Sequence, residues 1–363
     1  MRTPEILAPA GSEESLLAAL RCGADAVYVG GKLFSARQNA ANFDLPQLQH
    51  AVELCHLYGA KLYLTVNTLI FESEFPSLVQ FLQAAMEMGV NAFLVQDLGV
   101  LRLIRRMSPD VPVHASTQMT IHTPEGAHWA KQHGISRVVV SRELSREEIA
   151  AVCQTGVEVE TFVHGALCMS VSGQCGLSAV IGSRSANRGR CAQACRLPFS
   201  AKGAKNVCTL SLKDLCLVPY LAELAQDGVA SLKIEGRCKR PEYVAAAVTA
   251  LVQARAGEEP DLDTLRAVFS RSGFTDGYYT GKRQQMFGTR QKEDVLQAKE
   301  VLPHLAQLYQ KPTPQIALTM DVRVQTGEPA ALTLRDADGN CVTVSGETVQ
   351  PARTKATDAA QLE

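Results

Sequence analysis

Residues 218–256, VPYLAELAQDGVASLKIEGRCKRPEYVAAAVTALVQARA, decide the fold. An amphipathic stretch, VPYLAELAQDG, leads into a strand-sized apolar run, SLKIEG from Ser231, and a long helical pattern, PEYVAAAVTALVQARAG, follows. This is the eighth turn of one repeating unit. The earlier strand runs are EILAPA from Glu5, AVYVG from Ala26, KLYLTVN from Lys61, AFLVQD from Ala92, VPVHAS from Val111, RVVVS from Arg137 and VEVETFV from Val157. Between them lie amphipathic stretches such as EESLLAALRCG, LPQLQHAVELCHLYG and SREEIAAVCQTG, several ending at a Gly suited to close a helix. Eight strands alternating with eight helices by about residue 256 predict an α/β fold, a TIM-like (β/α)8 barrel. An open doubly wound sheet shares the alternation and competes with it; the count of eight favours the barrel. In a barrel, chemistry sits at the carboxyl ends of the strands. That gathers Gly30, Asn67, Gln96, Asp97, Ser116, Gln118, Ser141, His164 and Glu235 around one mouth.

The seventh connection breaks the repeat. From His164 to Lys213 no helix of ordinary length is written, and loops this long are uncommon without a function. Residues 1–256 are thus expected to form the barrel with a Cys-rich insertion at 164–213. Residues 257–312 hold a Gly- and aromatic-rich segment, FSRSGFTDGYYTGKRQQMFG, and a helix from Asp294 to Tyr309. From 313 to 363 the alternating runs IALTMDVRV and PAALTLRDADGNCVTVSG, with a turn at Asp338-Gly339-Asn340, predict a small C-terminal β module. The last residues, ATDAAQLE, read as the first turn of a helix, so the module is expected to be truncated.

The chain has 363 residues, 46% hydrophobic and 20% charged, with 36 Lys and Arg against 37 Asp and Glu, which excludes a disordered chain and a disulfide or metal mini-scaffold. No signal-like leader and no membrane-length apolar run is written, so a cytoplasmic protein without membrane contact is expected. Eleven cysteines then need a use other than disulfides. Four of them, Cys168, Cys175, Cys191 and Cys195, fall within 28 residues among glycines. Their spacing, Cys-x6-Cys followed by fifteen residues and Cys-x3-Cys, suits four thiolates closing on one centre. Zinc sites usually pair cysteines two to four residues apart, so the six-residue gap favours an iron-sulfur cluster, with zinc as the alternative. Charge here is one-sided. From Thr161 to Lys213 there is no Asp or Glu, against Arg184, Arg188, Arg190, Arg196, Lys202, Lys205 and Lys213. Such a field compensates thiolates, or attracts RNA phosphates or a carboxylate metabolite.

The run ETFVHGALCMSVSGQCGLS at 160–178 resembles the signature of peptidase family U32, the collagenase-like proteins. NRGRCAQACRLPF, SLKDLC, LKIEGRCKRPEYV and FSRSGFTDGY match that family in the same order, and the similarity spans residues 1 to 290. The family name implies a protease, yet its best-understood bacterial relatives are oxygen-independent hydroxylases of transfer-RNA or ribosomal-RNA bases and of the ubiquinone ring. The resemblance implies a 4Fe-4S cluster on Cys168, Cys175, Cys191 and Cys195, with Cys216 as an alternate ligand, and prephenate or a similar small carboxylate as hydroxyl source. Cys238 stands where the family more often has Met and is expected to be structural. The tail resembles the long ribosomal-RNA-modifying branch.

On that basis we expect an RNA hydroxylase, acting on ribosomal more readily than transfer RNA. His164 or Glu160 is expected to move protons, and Arg184, Arg188 or Arg190 to bind an anion. The alternatives are a collagenase-like, metal-dependent peptidase and a non-catalytic RNA-binding or assembly factor with a structural four-cysteine site. The sequence carries neither H-E-x-x-H nor G-x-S-x-G.

Overall fold

The computed structural model describes residues 3–201, 203–311 and 316–352. Lys202 and the final ATDAAQLE lie outside them. Eight parallel strands close into a barrel: β1 (Glu5–Pro9), β2 (Ala26–Gly30), β3 (Lys61–Val66), β4 (Ala92–Val95), β5 (Val113–Ala115), β6 (Arg137–Val139), β7 (Glu158–Ala166) and β8 (Ser231–Ile234). Each pairs with its neighbour in chain order, and β8 pairs with both β7 and β1, which closes the ring. The eight predicted runs are the eight strands. Their Val, Ile and Leu side chains are buried on both faces, as a parallel barrel wrapped in helices requires.

The barrel helices are α1 (Glu13–Arg21), α2 (Leu45–Leu57), α3 (Phe75–Glu87), α4 (Leu98–Met107), α5 (Pro124–Gln132), α6 (Arg146–Cys153), α7 (Leu221–Gln226) and α8 (Pro241–Ala256). Their starts are written in the sequence. Ser12, Asp44, Asp97, Thr123 and Ser145 each accept a first-turn N–H, and Asp44 and Ser145 complete capping boxes with Gln47 and Glu148. Asp97, expected at the mouth, is spent on this cap and on the Ile70 N–H.

After the barrel, helices Leu262–Val268 and Lys292–Gln310 pack on α8, and the second also on α1, where Tyr309 donates to Glu14. Residues up to Lys311 therefore form one compact unit. A second unit follows from Pro312; within it Leu318–Arg323, Pro329–Asp336 and Cys341–Thr348 form an antiparallel three-stranded sheet. Asp336 closes its last hairpin by accepting from the Asp338 and Asn340 N–H groups. Among the described residues no helix is long and apolar enough to cross a membrane.

Candidate functional site at the barrel mouth

The insertion after β7 folds as short turns, not as a helix layer. It contains single 3₁₀ turns at Val171–Gly173 and Ala194–Arg196, a six-residue helix at Leu177–Gly182, and a strand, Asp214–Cys216, that returns antiparallel to β7. Gly189 (φ +86°) brings the NRGRC turn so close to the β2–α2 loop that an added Cβ would stand 2.8 Å from the Ser35 carbonyl oxygen. Arg188 pins the same turn from the side, donating to Glu74 at 2.6 Å and lying 4.3 Å over the Phe71 ring.

These turns roof a cavity of about 500 Å³ over the carboxyl ends of the strands. Cys168, Cys175, Cys191 and Cys195 all line it, as does Cys238. Burial raises the Cys195 thiol above its ordinary value, Arg196 opposes this, and the other three thiols push it further up, so the four share one electrostatic environment. The Leu177 and Gln193 N–H groups donate to the Cys175 and Cys191 sulfurs at 3.3 Å each. Cys216 is elsewhere. It is buried beside His164 on the strand returning along β7, does not line the cavity, and is pushed up to about 11 by burial.

The cavity walls are strongly cationic. Arg37, Arg142, Arg196, Lys233, Arg237, Lys239 and Arg271 line them, against the single carboxylate of Glu235. Burial alone would raise the Glu235 carboxyl, but Arg142 at 2.7 Å and Arg37 at 3.4 Å hold it down near 2. Arg271 pairs with Asp214 at 2.5 Å, and Lys233 with Glu160 at 2.6 Å. The rest have no carboxylate of their own. Arg237 is 5% exposed and donates only to the Ser35 and Thr65 hydroxyls, at 2.7 and 3.0 Å. Gly30 makes room for it: a Cβ there would stand 2.1 Å from the guanidinium. Arg196 donates to the Ser211 hydroxyl and to the Leu212 and Leu167 carbonyls. Lys239 rests on the Phe269 ring; burial, with Arg271 and Arg290 nearby, lowers its amine to about 7 despite Asp214.

The predicted residues divide. Asn67, Ser116, Gln118 and Glu235 line the cavity with the four cysteines. Glu160 does not; it is fully buried inside the barrel, bonded to Lys233 and 3.4 Å from Arg137. His164 does not either. The β7–β8 register shifts between Lys233 and Ile234, so Phe162 pairs with Lys233 and His164 with Ile234. His164 then packs between Tyr243 and Phe274 instead of facing inward, and burial lowers its imidazole to about 3. Arg184 and Arg190 stand off the cavity lining, while Arg188 is tied to Glu74. Of the cations that do line it, only Arg196 comes from the insertion; the others come from β8, from the β2, β6 and β8 loops and, as Arg271, from beyond the barrel. Only the strand-end position of EGRCK hinted at them.

A (β/α)8 barrel whose mouth is roofed by a thiol-bearing, cation-lined insertion is the scaffold of an enzyme site. The chain belongs to peptidase family U32, whose model matches residues 11–288. It is 35% identical over 324 residues to tRNA hydroxylation protein P1 of Bacillus subtilis, covering 80% of this chain and 75% of that one. It is 41% identical over 247 residues to the 23S rRNA 5-hydroxycytidine C2501 synthase of Escherichia coli, covering 66% of this chain but only 37% of that longer protein. It is also 35% identical over 311 residues to a collagenase of Porphyromonas gingivalis, covering 77% and 74%. Among solved structures, the U32 peptidase Mk0906 aligns at 19% identity with a TM-score of 0.40, over 45% of this chain and 70% of that one.

Proposed function

We propose that this protein hydroxylates a pyrimidine base of RNA, using a 4Fe-4S cluster held by Cys168, Cys175, Cys191 and Cys195 and an oxygen donor other than O2. The observation that carries the reading is the meeting of four thiols and a surplus of cations in one cavity at the barrel mouth. Relatives named for tRNA hydroxylation and for 5-hydroxycytidine synthesis give the reaction class.

Four thiols lining one cavity are the donor set that a 4Fe-4S cluster takes, one thiolate to each iron. Among the described residues, no three His, Cys, Asp or Glu side chains stand close enough together to clasp a single ion. The two backbone N–H donors to Cys175 and Cys191 and the nearby guanidiniums stabilise thiolates. When bound, such a cluster supplies one-electron chemistry beside whatever occupies the cavity.

The remaining roles fall to side chains in the walls. Arg237, together with Arg37 held by Glu235, forms a cationic wall that holds a small carboxylate donor of the prephenate kind by bidentate contacts. Lys239, with its lowered amine, holds or gives up a proton at Nζ near neutral pH. The peptidase alternative is less well supported, because no histidine lines the cavity and His164 packs outside it. The test is nucleoside mass spectrometry of ribosomal and transfer RNA from cells lacking the protein, complemented with wild type or Cys175→Ala. A hydroxypyrimidine restored only by wild type supports the proposal. Unchanged RNA in all strains overturns it.

A further inference from the structure

The geometry points to an unpaired, everted pyrimidine nucleotide as the form in which the RNA enters this cavity, its base received at Arg142 and Thr117. This rests on the RNA-hydroxylase reading above and adds the state of the substrate and the groups that take it.

Three observations lead there. First, the cavity is roofed. Phe162 lines it from β7, level with Lys233 one residue before the end of β8, and the insertion turns bearing Cys175 and Cys191 close over it. Second, the cavity is narrow for nucleic acid. At about 500 Å³ it has room for small organic groups, not for a duplex.

The third is chemical. The C5 edge of a pyrimidine faces the major groove, and in A-form RNA that groove is deep and too narrow for side chains to enter. A base still stacked in a helix cannot bring C5 beneath the insertion turns, whereas one rotated out of the stack can. The walls are furnished for such a guest. The Arg142 side chain is 6% exposed, its guanidinium lies 3.9 Å over the Phe162 ring, and its buried Nε has no hydrogen-bond partner among the described residues. Thr117 Oγ1 is likewise buried without a partner. Guanidinium planes and aromatic rings are the usual platforms for an unstacked base, and unpaired donors and acceptors read its edge.

The test uses ultraviolet crosslinking of anaerobically purified wild-type protein to a short RNA carrying one 5-iodouridine, single-stranded or annealed to its complement, with peptide mass mapping. The expected adducts fall on Phe162, Phe269 or Tyr28, with at least a tenfold lower yield from the duplex. The double variant Arg142→Lys, Thr117→Val should lower that yield while its circular dichroism stays native. Adducts confined to residues outside the cavity, or equal yields from both RNAs, overturn the inference. If cavity adducts form but cellular RNA lacks the modified base, hydroxylation fails and the nucleotide site stands. If RNA is modified without cavity adducts, the site fails alone.

Discussion

Replacing Glu160 by Gln should cost stability before it costs chemistry. Glu160 is fully buried, with Lys233 at 2.6 Å on one oxygen and Arg137 at 3.4 Å on the other. Removing one member of a buried ion pair costs about 3–5 kcal/mol, because the partner is left charged in a medium that cannot solvate it. Arg137 keeps Glu5 at 2.7 Å and Glu158 at 2.9 Å, so the uncompensated charge is Lys233. The amide oxygen of Gln preserves one hydrogen bond to it, which puts the loss near the lower bound, about 3 kcal/mol. The sign of the pH dependence follows from Lys233. Burial already lowers its amine, and Glu160 opposes that. Without Glu160 the folded-state value falls further, so the folded variant binds protons less readily than the wild type. The deficit is therefore full below the variant's folded value and shrinks as pH rises from there to the wild type's own lowered value. Urea unfolding of both proteins at about pH 7 and pH 9.5 measures it. A deficit below about 1 kcal/mol, or one that does not shrink with pH, would refute the ion-pair reasoning. Hydroxylation lost in a variant of unchanged stability would restore Glu160 as a proton carrier.

His164 is neutral in the fold, so wild-type stability should fall as pH drops from 6.5 toward 3, by at most about 4–5 kcal/mol, and His164→Leu should lose less over that window; identical acid profiles would count against it. Gly30→Ala should leave the barrel folded but cut hydroxylation at least tenfold, since the new methyl group occupies the Arg237 guanidinium position; full activity would show that Arg237 is not needed where it stands. Arg188→Ala should expose the Cys191 turn to limited proteolysis by releasing Glu74 and Phe71, while iron-binding capacity per folded chain is kept.

The barrel was legible because each strand is a short apolar run bounded by a helix cap, and such signals are local. The four cysteines were legible for the same reason, lying in one stretch of 28 residues. His164 was misplaced by a shift in pairing register that periodicity cannot reveal. A bulge reverses the side chains after it, and nothing in VEVETFVHGA marks where it falls. The basic run of the insertion pointed to Arg184, Arg188 and Arg190, yet of that run the cavity takes Arg196, and it draws further cations from Arg37, Arg142 and Arg237, on loops about a hundred residues apart in sequence. Closure of the ring brings them together, and only the register of the strands says which loop residues meet.

The proposal stands on the four mouth cysteines acting as one redox centre, and iron and sulfide analysis with a visible spectrum tests this most directly. The protein would be purified without oxygen as wild type, Cys195→Ala and Cys216→Ala. About four irons and four sulfides per chain with broad absorbance near 400 nm, kept in Cys216→Ala and lost in Cys195→Ala, is the expected result. A colourless wild type carrying one zinc per chain, or iron lost only on replacing Cys216, would contradict it.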